Sequence, residues 1–156
     1  KRKTRKEGTN MKSEFAKITM AAIIGIGILA AQGCGSTSIE GSWSVTKVQM
    51  DGMNKPEKIE KAVRELAQNY EGEVSEEEIQ QGVDMLSGIG LTFYENGSMS
   101  MSQSAYGMNV NGTWTEAGDN VYAIQTPVEN VDVTLDGKEL IMEDVSSGNI
   151  CVFEKN

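Results

Sequence analysis

The sequence predicts a mainly β domain: an eight-stranded antiparallel up-and-down β-barrel with a two-helix insertion between strands 1 and 2. Three observations predict it. Seven short stretches after residue 90 alternate apolar and polar side chains with period two. A further strand-like stretch, about Ser42 to Met50, lies ahead of residues 56–88, whose apolar period is helical. Eight strands with one apolar face each satisfy their edge groups by closing on themselves.

Taking the elements in order, "GSWSVTKVQMDG" reads as the first strand, ended by Asp51-Gly52. In "PEKIEKAVRELAQNY", Pro56 suits a first-turn position, and Ile59, Ala62, Val63, Leu66 and Tyr70 form one apolar face. In "VSEEEIQQGVDMLSGIG", Ser75 and Glu78 form a capping box and Val74 with Ile79 a hydrophobic staple. Ile79, Val83 and Leu86 make its buried stripe, and Gly88 or Gly90 ends it. The acidic run Glu76-Glu77-Glu78 complements the positive helix N-terminus.

Two hairpins carry register information. In "LTFYENGSMSM" a three-residue Glu95-Asn96-Gly97 loop, with Gly97 left-handed in a bulge, pairs Phe93 with Met99 and Leu91 with Met101. A two-residue turn there sets Phe93 against Ser100 and mixes the faces. In "VDVTLDGKELIM" an Asp136-Gly137 turn pairs Val133 with Leu140 and Val131 with Met142. Another inward face reads Met108, Val110, Gly112, Trp114. The last strand alternates Ile150/Val152 with Cys151/Phe153, and either pair suits the interior.

Charge is split along the chain. Seven basic residues precede Cys34 against two acidic ones, whereas from Cys34 onward seven basic residues face 21 acidic ones, a balance of −14. A body this acidic repels phosphate backbones, which argues against nucleic-acid binding. From Met11 the chain reads as a secretory signal: Lys12 and Lys17, then the apolar "ITMAAIIGIGILAA" (18–31). As a helix that run rises roughly 21 Å, short of the ~30 Å hydrocarbon core. The organisation expected is a basic extension over 1–10 outside the fold, a signal peptide over 11–33, a flexible tether over 34–39 and a barrel domain over 40–156.

"AAQGC", with Gly33 and Cys34, resembles the lipobox of bacterial lipoproteins, although Ala31 stands where Leu is usual and Gln32 where a small residue is usual. The resemblance implies acylation of the Cys34 sulfur and a lipid-anchored protein on the extracytoplasmic face of a bacterial cell membrane. Two or more acyl chains hold a protein stably where one does not. With Cys34 occupied, Cys151 has no intrachain partner and is expected as a small buried apolar residue.

The mature part resembles the lipocalin-like domains of the calycin group. "GSW" (Gly41, Ser42, Trp43) matches the Gly-x-Trp of their first strand, and "LTFYENGSMSM", "NGTWTEAGDNVYAI" and "LDGKELIMED…CVFEK" resemble their repeated hairpins. The helical pair resembles instead the lid of fatty-acid-binding proteins. Lys155 is the nearest substitute for the basic residue that stacks on the first-strand Trp. Such domains often hold an apolar ligand, which here implies a lining of Trp43, Leu91, Phe93, Met99, Met101, Met108, Val110, Trp114, Val131, Val133, Leu140 and Met142.

Catalytic chemistry is sparse. With no His, Ser-His-Asp and Cys-His arrangements and His-based zinc sites are excluded. Asp119-Asn120, Asp132 and Asp136 sit in or near turns, where such side chains bond their own backbone. No catalytic residue, metal or cofactor is expected; a carboxylate-only hydrolase is the one enzymatic option left. Two functions remain. Flexible Met side chains line an adaptable pocket for a small hydrophobic ligand, with the two helices as its lid. Alternatively the barrel is filled by its own side chains and acts as a cell-surface adaptor for another protein.

Overall fold

Alternating faces become strands, and the strands close. A computed structural model describes residues 38–70, 72–144 and 147–156. The basic extension, the signal segment, Cys34 and most of the tether therefore lie outside the described residues. The elements run β1 (Gly41–Gln49), β2 (Glu57–Lys58), α1 (Ile59–Asn69), α2 (Glu76–Ser87), β3 (Ile89–Phe93), β4 (Ser98–Gln103), a 3-10 turn (Ser104–Tyr106), β5 (Met108–Gly118), β6 (Val121–Gln125), β7 (Asn130–Asp136), β8 (Glu139–Asp144) and β9 (Asn149–Lys155).

From β3 to β9 each strand pairs antiparallel with the next. β1 closes the ring by serving both ends of this meander: Gly41–Ser44 pair with β3 and Trp43–Gln49 with β9. A bulge between Val45 and Lys47 supplies the bend needed at that seam. The result is the expected eight-stranded barrel, with the two helices between β1 and β3. The short β2 is an addition, pairing Lys47 with Lys58 and Val48 with Glu57. It displaces Pro56 from the helical first turn that its position suggests, so α1 begins at Ile59 behind Lys58. Tyr70 falls beyond the end of α1 and is exposed.

The capping box at Ser75 forms in full: the Ser75 hydroxyl accepts from the Glu78 N–H, and the Glu78 carboxylate accepts from the Ser75 N–H. Beyond complementing the helix dipole, Glu76 also holds Arg64 of α1 at 2.9 Å, which ties the two helices together. Arg64 in turn keeps the Glu76 carboxyl below its ordinary pKa.

Both hairpins put their apolar sets inside, by different registers. The β3–β4 turn is the bulged one: Phe93 pairs with Met99, Leu91 with Met101, and Gly97 has φ +80°. The β7–β8 turn is a correction. Asp136 pairs with Glu139, so the two loop residues are Gly137 and Lys138, and Leu135 meets Leu140 while Val133 meets Met142. Only Gly137 has positive φ (+61°), as a two-residue turn led by glycine requires. This register adds the Leu135–Leu140 pair to the core. A shift by two leaves every side chain on its expected face, where a shift by one reverses them all.

The barrel has two distinct ends. The first holds the start of β1, the C-terminus and the β3–β4, β5–β6 and β7–β8 turns; the second holds the helices and the β4–β5, β6–β7 and β8–β9 loops. Ile59, Ala62, Val63, Ile79 and Leu86 of the helices belong to the same core cluster as the barrel interior, so the helices cap the second end. Among the described residues no helix is long and apolar enough to cross a membrane.

Candidate functional site: the barrel interior and its lid end

Inward positions on the strands converge on one apolar core. Trp43, Leu91, Phe93, Met99, Met101, Val131, Val133, Leu140 and Met142, all expected to line the interior, are buried in it. Val45, Val48, Ile124, Leu135, Cys151 and Phe153 join them. β9 thus turns Cys151 and Phe153 inward, which settles the alternation its sequence leaves open. Val152 is buried too, apart from this cluster.

The degree of burial bears on what the interior holds. An enclosed cavity of ligand size leaves water-sized surface on the side chains that line it. Ile124, Val133, Leu140 and Phe153 show 0% exposure, and Trp43, Leu91 and Met99 only 1%. The middle of the barrel is filled by its own side chains.

The first end is plugged. The Trp43 indole N–H donates to the Ile39 carbonyl at 2.7 Å, and Ile39 is buried with it. Lys155 lies over the Trp43 ring with Nζ 5.5 Å from the centroid and donates to the Ser38 carbonyl. This basic residue therefore occupies the stacking position that its place in the sequence suggests. Nearby, Trp114 packs edge-on between Phe93 and Tyr122, with centroids 6.0 and 5.8 Å away. Its indole N–H donates to the Tyr94 carbonyl.

β5 departs from expectation. Met108 shares the inward register with Val110 and Trp114, yet it is 47% exposed, and Val110 and Trp114 are only half-buried. The physical reason is position. Met108 opens the strand directly after the 3-10 turn, at the barrel rim. Alternation sets the direction of a side chain; burial also needs something opposite.

Polar groups gather at the lid end. The Gln103 side-chain amide donates to the Met85 carbonyl of α2 and its oxygen accepts from the Ala105 N–H, which joins lid to barrel. Across the mouth, Asp144 and Asn149 form a cross-strand pair, both buried. The Ser147 hydroxyl donates to the Asp144 carboxylate at 2.6 Å. Glu129, on the β6–β7 loop, has its pKa raised to about 7 by burial first and the Asp144 charge second. Inward alternation alone does not find this cluster, because its members end their strands and read as turn residues.

Cys151 lies deep in the core as a free thiol, and burial pushes its pKa up to about 12. Such a thiol is a packing residue rather than a nucleophile. Among the described residues no group of three or more His, Cys, Asp or Glu converges. Asp132 and Asp136 stay on strand β7, and Asp119 is exposed at the β5–β6 turn. An open polar depression on the outer side of α1, lined by Lys58, Lys61, Arg64 and Glu65 among others, lies away from the barrel interior.

No family model matches the chain. No curated protein matches it either. Among solved structures it is similar to a DUF4847 family protein from Bacteroides vulgatus, with a TM-score of 0.54 at 16% identity. The match covers 75% of this chain and 93% of that one. At this identity the likeness is one of fold, and it places the chain among proteins with such a barrel.

Proposed function

We propose that the chain is a bacterial extracytoplasmic lipoprotein, anchored through acylated Cys34, whose filled lipocalin-like barrel is an interaction module for a protein partner. The filled interior carries this reading. Ligand-carrying barrels keep a cavity of roughly 300–1,000 Å³, and side chains with 0% exposure leave no place for one at the centre of this barrel. The fold otherwise offers a rigid platform with one plugged end and one decorated end.

Anchoring orients that platform. Cys34 precedes Ser38 by four residues, a reach of about 14 Å at most. Ser38 sits at the plugged end, bonded to Lys155. A chain held at Cys34 therefore turns its plugged end to the bilayer and its helices, Tyr106, Met108 and Val128 outward. These last three are exposed apolar side chains on or beside the lid-end loops, and large apolar side chains of this kind anchor protein interfaces.

Two measurements test the reading. Labelled palmitate is expected to incorporate in cells and to be lost in Cys34→Ala; unchanged labelling in the variant overturns the anchor. Native mass spectrometry of the mature protein with fatty acids is expected to give no adduct. A stoichiometric adduct instead supports the second reading, a small apolar ligand held at the rim. The accessible inward positions of Met108 and Val110 favour that alternative.

A further inference from the structure

The mouth of the barrel holds a polar atom that its own fold leaves without a partner. Asn149 is 9% exposed, and its side-chain oxygen is buried with no hydrogen bond. An unsatisfied buried acceptor costs about 1–3 kcal/mol, so it calls for something positive or for a donor. Its surroundings supply more acceptors. Asp144 is its direct cross-strand partner on the inward face, where paired Cβ atoms lie roughly 4.5–5.5 Å apart. The β7–β8 register, continued by two residues from Val133–Met142, sets Val131 opposite Asp144. Glu129 then stands one inward position further on, close enough for the two carboxyls to repel. None of the ion pairs among the described residues reaches Glu129. No Lys or Arg occurs anywhere between Arg64 and Lys138.

We propose that the lid end binds a hard divalent cation of the calcium kind between the carboxylates of Glu129 and Asp144 and the side-chain oxygen of Asn149. All three donors are oxygens, which suits such a cation and not a thiophilic one. The site draws on the β6–β7 loop, the end of β8 and the start of β9, so the cation ties together neighbouring segments of the rim. Water completes the coordination from the side of Glu129, the half-buried donor, and so few protein donors put the affinity in the weak range of about 10⁻⁴–10⁻³ M. The site does not depend on how the chain is anchored or on what partner it meets.

Thermal unfolding of the mature protein in EDTA, in 10 mM calcium chloride and in 10 mM magnesium chloride, at constant ionic strength, tests the proposal. Calcium is expected to raise the melting temperature by several degrees, and magnesium by less. The shift is lost in Glu129→Gln and Asn149→Ala and kept in Glu95→Gln, a distant exposed carboxylate. Titration calorimetry is expected to give one calcium per chain. No shift in the wild-type protein overturns the site. An equal shift in all four proteins assigns the effect to screening of the acidic body and overturns it too.

Discussion

Phe153→Ala probes the filled interior more directly than any other substitution. Phe153 faces Leu140 on β8 and Val45 on β1, across the ladder that closes the barrel, and none of its surface is exposed. Removing the ring leaves a void on the order of 100 Å³, which at about 24 cal/mol per Å³ contributes roughly 2.4 kcal/mol. The lost transfer free energy of the ring brings the whole to about 3–5 kcal/mol. Against a domain stability of roughly 5–15 kcal/mol, the variant still folds but unfolds at a much lower urea concentration. The new void is apolar and dry, so it takes up xenon or benzene as engineered core cavities do. The assay is paired: urea unfolding gives the stability loss, and methyl NMR shifts under xenon report the void. A loss below about 1.5 kcal/mol, or xenon uptake by the wild-type protein equal to the variant's, refutes the filled interior; the first value is well under the cost of burying such a ring.

Three further outcomes follow from single contacts. Gly112→Ala places a Cβ within clashing distance of the Gln125 carbonyl oxygen, with the Gln125 carbonyl carbon and Thr126 Cγ2 each 3.1 Å away; backbone cannot step aside, so a loss of about 1–3 kcal/mol or more is expected in urea unfolding. In the Cys34→Ser protein the Cys151 thiol, its pKa near 12, is expected to ignore a thiol reagent at pH 8 until guanidinium unfolds the chain; rapid native-state labelling contradicts its burial. Ser75→Ala removes the hydroxyl that accepts the Glu78 N–H, at an expected cost of about 0.5–2 kcal/mol. An unchanged urea midpoint shows that this cap contributes nothing to the lid.

Local rules made much of this protein legible in its sequence. The bulged β3–β4 turn follows from the need to keep Phe93 and Met99 on one face, and the capping box from the Ser75–Glu78 spacing. Nine of the twelve expected lining residues are buried for the same reason, since alternation forces direction on each side chain. Other features depend on what lies across the fold. Met108 points inward by register yet stays exposed, because it opens its strand at the barrel rim. The β7–β8 turn sits one residue later than Asp136-Gly137 suggests, since only in the folded core does Leu135 find Leu140. Glu129, Asp144 and Asn149 come from the β6–β7 loop, β8 and β9, and the pairing of β7, β8 and β9 brings them to one end of the barrel. Whether an eight-stranded ring is hollow or filled is likewise a matter of volume summed over all its strands. Sequence by itself determined which way the alternating side chains of β3, β4, β7 and β8 point, because that depends on neighbours along the chain; β9, apolar on both faces, leaves its direction open. Tertiary structure alone decided what each one meets, because that depends on the closure of β1 against β9.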